Sequence, residues 1–144
     1  MPNETKVTAS VVKKLNSVIA CRAKKRHSGR YGSGDPDVSG VYRGNAFFVE
    51  MKKLDGAITE LQADELQKWS DAGAETFVGI YDDATRRLAL IDLAASETWR
   101  DFANKSGVRE LWDSSVTQRA KVSEYDFQSW LDNRVAHEPE YAEN

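Results

Sequence analysis

The order and spacing of apolar residues predict an α/β fold, a mixed central β-sheet flanked by α-helices. Two observations carry this. Residues 37–42 and 46–52 both read as strands, and Arg43-Gly44-Asn45 between them has the composition of a hairpin turn. A helical stretch opening at Thr59 then separates this hairpin from two further strand-like runs, 76–81 and 88–93. A helix between strands implies a crossover, so the sheet is expected to contain parallel as well as antiparallel pairs.

The elements follow in order. Val11, Val12, Leu15, Val18 and Ile19 recur at helical spacing and predict a first helix over residues 8–23, capped by Thr8 or Ser10. A basic run would then end that helix, where cations suit the dipole. Residues 28–34 hold three glycines in seven positions and read as a loop. Pro36 belongs at the first residue of a strand or at an edge, since it cannot donate a ladder hydrogen bond. Leu54-Asp55-Gly56 breaks the chain after the second strand. The helix opened by Thr59 runs to about Ala72, and Gly73 stops it as a C-terminal glycine commonly does. Residues 82–86 turn between the third and fourth strands. Residues 96–103 are predicted as a short helix beginning with a capping signal. Residues 123–135 are predicted as another, with Tyr125, Phe127, Trp130 and Leu131 as its apolar side. The stretch 108–121 reads as strand or loop. No linker and no internal repeat divides residues 1–136, which are expected to form a single domain. The polar, acidic residues 137–144 are expected to be disordered.

Composition narrows the function. A chain of 144 residues, 40% apolar and 30% charged, suits one globular domain. No apolar run approaches membrane-spanning length, and the first residues lack a signal-peptide pattern. Cys21 is the only cysteine, which excludes an internal disulfide and a cysteine-rich zinc site and makes a reducing cytoplasm the expected location. The net charge of −3 excludes a broadly basic nucleic-acid binder, so any contact with phosphates must be local. Arg22, Lys24, Lys25, Arg26 and Arg30 supply such a local patch, with His27 among them and Tyr31 as the aromatic best placed for nucleic-acid contact. The plainer reading of the same run is a solvated face.

The candidate chemistry lies at the end of the second strand. Side chains of a strand alternate faces, so Glu50 and Lys52 share a face with Phe48, while Phe47, Val49 and Met51 point the other way. An acid and an amine closing an apolar strand are equally the mark of a strand emerging into solvent. The hairpin, however, can return Asp37 beside Glu50. Two carboxylates meeting at a point repel unless something positive lies between them. Hard oxygen donors, with no histidine or cysteine pair in reach, favour Mg²⁺ or Mn²⁺ over zinc. Such an ion would activate a water and steady charge growing on a phosphate. Lys52 would orient or deprotonate that water, or neutralise the phosphate. Thr59 and Gln62 fit a capping box. Gln62, Leu66 and Trp69 also follow i, i+4, i+7, which places the glutamine on the buried stripe facing the two strand ends.

The run Gly34-Asp35-Pro36-Asp37-Val38-Ser39-Gly40, then Phe48-Val49-Glu50-Met51-Lys52, then Ile58-Thr59-Glu60-Leu61-Gln62 and Ala72-Gly73-Ala74 resembles the virus-type replication-repair nuclease (VRR-NUC) domain of the PD-(D/E)XK nuclease superfamily. The resemblance covers residues 28–78. Each piece alone is weak, and their order and spacing together are specific. It implies a restriction-endonuclease-like fold and metal ligation by Asp37, Glu50 and the carbonyl of Met51. It makes Lys52 the catalytic lysine and Gln62 an additional site residue, with Mg²⁺ or Mn²⁺ as cofactor. Small stand-alone members come from phages and bacteria, act as homodimers and are associated with branched DNA such as Holliday junctions. Their role lies in replication, recombination or repair. A nuclease-like module that grips nucleic acid without cutting is the alternative. One departure concerns the first helix, where many members carry a metal-binding acid. Its predicted core-facing positions here are apolar, leaving Glu4 or Asp35 as substitutes. Trp69, Trp99 and Trp130 are expected in the core and Trp112 is open. Cys21 is expected as a small packing residue near the end of the first helix. His27 is expected to be solvent-exposed and His137 inert.

Overall fold

The computed structural model describes residues 4–26, 34–93, 97–103 and 107–135. The elements run α1 (Glu4–Asn16), β1 (Cys21–Lys25), β2 (Val38–Tyr42), β3 (Asn45–Lys53), α2 (Glu60–Asp71), β4 (Glu75–Asp82) and β5 (Arg87–Ile91). Then follow α3 (Trp99–Phe102), α4 (Arg109–Ser114), β6 (Ala120–Lys121) and α5 (Phe127–Arg134). The strands form one six-stranded sheet in the order β1-β2-β3-β4-β5-β6. β3 and β4 pair in parallel across the α2 crossover, and the other neighbours pair antiparallel. This is the mixed central sheet flanked by helices that the sequence predicts.

Strand alternation divides the core into two layers. On one face Val7, Val11 and Leu15 of α1 and Phe127, Trp130 and Leu131 of α5 pack on Phe47, Val49, Met51, Phe77, Leu88 and Leu90. On the other face Ala63 and Leu66 of α2, with Trp99, Phe102, Leu111 and Trp112 of α3 and α4, pack on Val78, Ile80, Ala89 and Ile91. Polar contacts pin the second layer: the Trp99 indole N–H donates to Thr76 Oγ1 at 2.8 Å, and the Trp99 backbone N–H donates to Gln67 Oε1 at 2.8 Å. Buried polar groups finding partners in this way keep the fold unique.

Several sequence expectations are corrected. The first helix does not reach residue 23. It ends at Asn16, whose side-chain amide accepts from the Ala23 N–H at 2.7 Å and donates to the Ala23 carbonyl at 2.9 Å. Asn16 thus acts as a strand partner, and Ala20, at φ 69°, turns the chain into β1. A short polar side chain competing with the helix ladder overrides the apolar periodicity, and Ile19 is left 87% exposed. Thr8 consequently lies buried inside α1 and is no cap. Cys21 opens β1 and packs partly against the first core, and burial pushes its thiol up to about 11. Within 108–121, the strand-or-loop reading misses α4, whose Leu111 and Trp112 join the core and settle Trp112 as a packing residue. The last helix starts at Phe127, capped by Asp126, which accepts from the Ser129 N–H at 3.0 Å.

Candidate active site

The β2–β3 hairpin sets the register on which the site depends. Tyr42 pairs with Asn45 across a two-residue turn whose central residues, Arg43 and Gly44, have φ of 49° and 85°. Two successive positive φ angles make a type I′ turn, whose twist matches that of the strands it joins. Counting back from this turn, Val38 pairs with Val49. Carrying this register one step further sets Asp37 opposite Glu50 on the same face of the sheet.

Asp37 is held from both sides. Its backbone carbonyl accepts from the Arg26 N–H at 2.7 Å, and its Oδ2 accepts from the Met51 N–H at 2.8 Å. One carboxylate oxygen is thereby committed to β3, and the other can face a ligand. In β3, Phe47, Val49 and Met51 enter the α1–α5 core, as alternation predicts. Phe48, on the opposite face, stacks on Trp69 of α2 with ring centroids 4.2 Å apart. Glu50 follows on that face and is only 3% exposed, and Lys52 Nζ stands 3.9 Å from Glu50 Oε2. A carboxylate this deeply buried needs charge compensation, and the ammonium supplies part of it.

The start of α2 closes the site. Thr59 Oγ1 accepts from the Gln62 N–H at 3.1 Å, and Gln62 Oε1 accepts from the Thr59 N–H at 3.0 Å, a complete capping box. Gly34 lies against the same turn. A Cβ there would come within 2.8 Å of the Leu61 carbonyl carbon and oxygen, and its φ is +79°. Only glycine allows this approach. The segment leading into Asp37 is therefore docked on the turn that carries Gln62.

The donor set fits a hard divalent ion. Asp37, Glu50 and the Met51 carbonyl are all oxygen donors, and water can complete the coordination Mg²⁺ prefers. Among the described residues no group of three or more histidine, cysteine or acidic side chains converges to hold a metal. Asp35, one of the two substitute acids, instead pairs with Arg26 at 3.8 Å. The side chain of Glu4, the other, lies outside the described residues.

No family model matches this chain, and no curated protein matches it. Among solved structures the chain is similar to Hjc, a Holliday junction resolvase from the archaeal hyperthermophile Archaeoglobus fulgidus. The match covers 76% of this chain and 98% of that chain, with 13% identity and a TM-score of 0.49.

The fold brings Asp37, Glu50, Met51 and Lys52 together at one end of the sheet and sets the Gln62 turn beside them. The basic run is relocated: Arg22, Lys24 and Lys25 lie on edge strand β1, not at a helix end. Alternation puts Arg22, Lys24 and Arg26 on the face of Asp37 and Glu50, and Lys25 on the other. Arg22 and Lys24 are exposed, as is the neighbouring Val41 at 45%, so this part of the face is open beside the acids. Lysines on an edge strand also discourage sheet-to-sheet pairing. His27, Arg30, Tyr31 and His137 lie outside the described residues. Sequence reading named Arg26 in the basic patch. The structure adds its place beside Asp37, whose carbonyl accepts from the Arg26 N–H, a relation that needed the β1–β2 neighbourhood to be read.

Proposed function

We propose that the chain is a metal-dependent endonuclease that hydrolyses phosphodiester bonds in DNA. The observation that carries the reading is the row formed by Asp37 and Glu50 across the β2–β3 register, with Lys52 Nζ 3.9 Å from the buried glutamate. The VRR-NUC-like order of these residues supports it. A Mg²⁺ or Mn²⁺ ion, when bound, would supply Lewis acidity toward the phosphate and a more acidic water.

The chain's own groups do the rest. Asp37, Glu50 and the Met51 carbonyl would hold the ion, and the Asp37–Met51 hydrogen bond fixes both donors of β3 and β2 relative to each other. Lys52 places its side-chain nitrogen at the strand end, where as an ammonium it would orient the attacking water or offset charge on the scissile phosphate, and as the neutral amine it would take the water's proton. Gln62 uses its Oε1 in the capping box, so its amide N–H₂ is the end that donates to a phosphate oxygen or to the water. Arg22, Lys24 and Arg26, with Arg30 and Tyr31 following in sequence, would track the backbone, whereas Lys25 lies on the other face of the sheet and is not part of this surface. Branched DNA in phage or bacterial recombination and repair is the substrate proposed, and a homodimer the assembly, since two symmetric cuts suit a twofold.

The test is cleavage of a four-way junction, a linear duplex and a single strand, each with Mg²⁺, Mn²⁺ or EDTA, beside the Lys52→Ala protein. Metal-dependent cutting that the variant lacks is the expected result, with the junction preferred. Cutting that persists in EDTA or in Lys52→Ala overturns the assignment. A wild-type protein that binds DNA but never cuts leaves the binding-only module.

A further inference from the structure

The opposite face of the sheet carries a second basic surface. A groove of about 940 Å³ runs between α1, the β4–β5 turn and the β6 end. Its cations are Lys6, Lys13 and Lys14 of α1, Arg86 of the turn and Lys121 of β6, against one carboxylate, Asp83. In a chain of net charge −3, five cations to one acid among the described residues of a single concave surface is a local reversal of sign.

The placement is built, not incidental. Lys6, Lys13 and Lys14 share one side of α1, while Val7, Val11 and Leu15 bury the other. Lys14 Nζ donates to the Ser123 carbonyl at 3.3 Å across the groove. Arg87 pairs with Lys121, which sets Lys121 beside the turn that carries Arg86. The carboxylate is compensated, since Asp83 lies 3.8 Å from Lys53 Nζ. Lys53 is the residue after Lys52 and pairs with Tyr81 of the groove lining. Consecutive strand residues point to opposite faces. Lys53 therefore adjoins the groove through Tyr81 and Asp83, on the face of the sheet opposite to that of Lys52.

We propose that this groove binds the sugar–phosphate backbone of duplex DNA, as a second contact surface distinct from the Arg22–Lys24–Arg26 face. The inference rests on the nuclease reading for its choice of polyanion. A lining of five cations with a single aromatic, Tyr81, suits phosphates rather than a run of unstacked bases. The groove would seat a stretch of duplex other than the one being cut, and so add affinity for substrates with more than one arm.

The experiment is binding of the full chain to a fluorescent 20-base-pair duplex in EDTA, so that no cutting enters the measurement. The wild type is compared with Lys13→Gln/Lys121→Gln over a range of salt. Both lysines are exposed, so folding is expected to persist. Each phosphate contact contributes about 0.9 to the salt slope, or roughly eightfold in affinity at 0.1 M salt. The double variant is expected to lose up to roughly 60-fold and to flatten the slope by about two. A second readout needs no variant: acetylation of Lys13 and Lys121, followed by mass spectrometry, is expected to be suppressed by the duplex. Unchanged binding and slope in the double variant, equal labelling with and without duplex, or a wild type that binds no duplex each overturns the proposal. The two readings fail separately. Cutting abolished by Lys52→Ala with groove variants that bind normally removes only the groove. Groove-dependent binding without cutting in any metal removes only the nuclease.

Discussion

Replacing Lys52 by methionine keeps the aliphatic stem and deletes the ammonium 3.9 Å from the buried Glu50 carboxylate. At an effective dielectric near 20 two unit charges at that separation attract by about 4 kcal/mol. The lysine side chain is 14% exposed, so solvent screens part of this. Removing one partner of a buried pair typically costs about 3–5 kcal/mol, because the remaining charge stays desolvated. For this partly wetted pair we expect about 2–4 kcal/mol, which in a domain of this size is a fall in Tm of roughly 6–12 °C. The assay is a thermal melt of wild type and Lys52→Met in EDTA and in Mn²⁺. In EDTA the variant melts well below wild type. In Mn²⁺ it recovers more than wild type gains, because a cation held by Asp37 and Glu50 stands in for the missing charge. Its cleavage stays lost even when its stability returns. A variant that melts within 2 °C of wild type in EDTA, or that gains no more from Mn²⁺ than wild type does, would refute the electrostatic account of the site.

Four further outcomes follow from the same geometry. Asp37→Asn can still accept the Met51 N–H, so it should fold with a loss of about 1 kcal/mol or less while cutting falls below detection; an active Asp37→Asn protein removes Asp37 from the metal set. Thr59→Ala and Gln62→Ala each break the capping box and should cost about 1 kcal/mol, but only Gln62→Ala should also lower kcat, by about tenfold or more; equal kinetics in the two variants would reduce Gln62 to a helix cap. Gly34→Ala meets the Leu61 backbone at 2.8 Å and sits at a positive φ, so it should destabilise by about 1–3 kcal/mol and lower cutting by displacing Asp37, as melts and rates on one preparation would reveal. Burial raises the Cys21 thiol to about 11, so below that pH it stays protonated and iodoacetamide should label it slowly at pH 8 in the native protein and much faster in urea; similar rates in both would contradict the packing of β1 on α1.

The distribution of successes along the chain has physical causes. Hairpin, crossover helix and second strand pair were legible because each is announced locally. Arg43-Gly44 supports two positive φ angles, Thr59 and Gln62 close a capping box, and Gly73 takes φ +106° after α2. The face assignment of β3 followed from a period of two, which admits no intermediate answer. The α1–β1 boundary was illegible because the Asn16 side chain pairs with the backbone of Ala23 seven residues on, a contact that the apolar spacing of Val18 and Ile19 does not announce. The helix at 109–114 was hidden for a similar reason: Leu111 and Trp112 earn their place only by packing on β5 and its neighbours.

By itself the sequence determined the element types of the central third, the face that Glu50 and Lys52 share, and the residue types from which a two-carboxylate site can be built. All of these are set by near neighbours in the chain, through dihedral preference, capping and alternation. Only the tertiary structure decided that Asp37 stands level with Glu50 and bonds to Met51, that Arg26 joins their row, and that α1 turns its lysines toward the β4–β5 turn and β6. Those relations join residues far apart in the chain. Their closure entropy is repaid by the summed packing of two core layers, and no local stretch of sequence carries that sum.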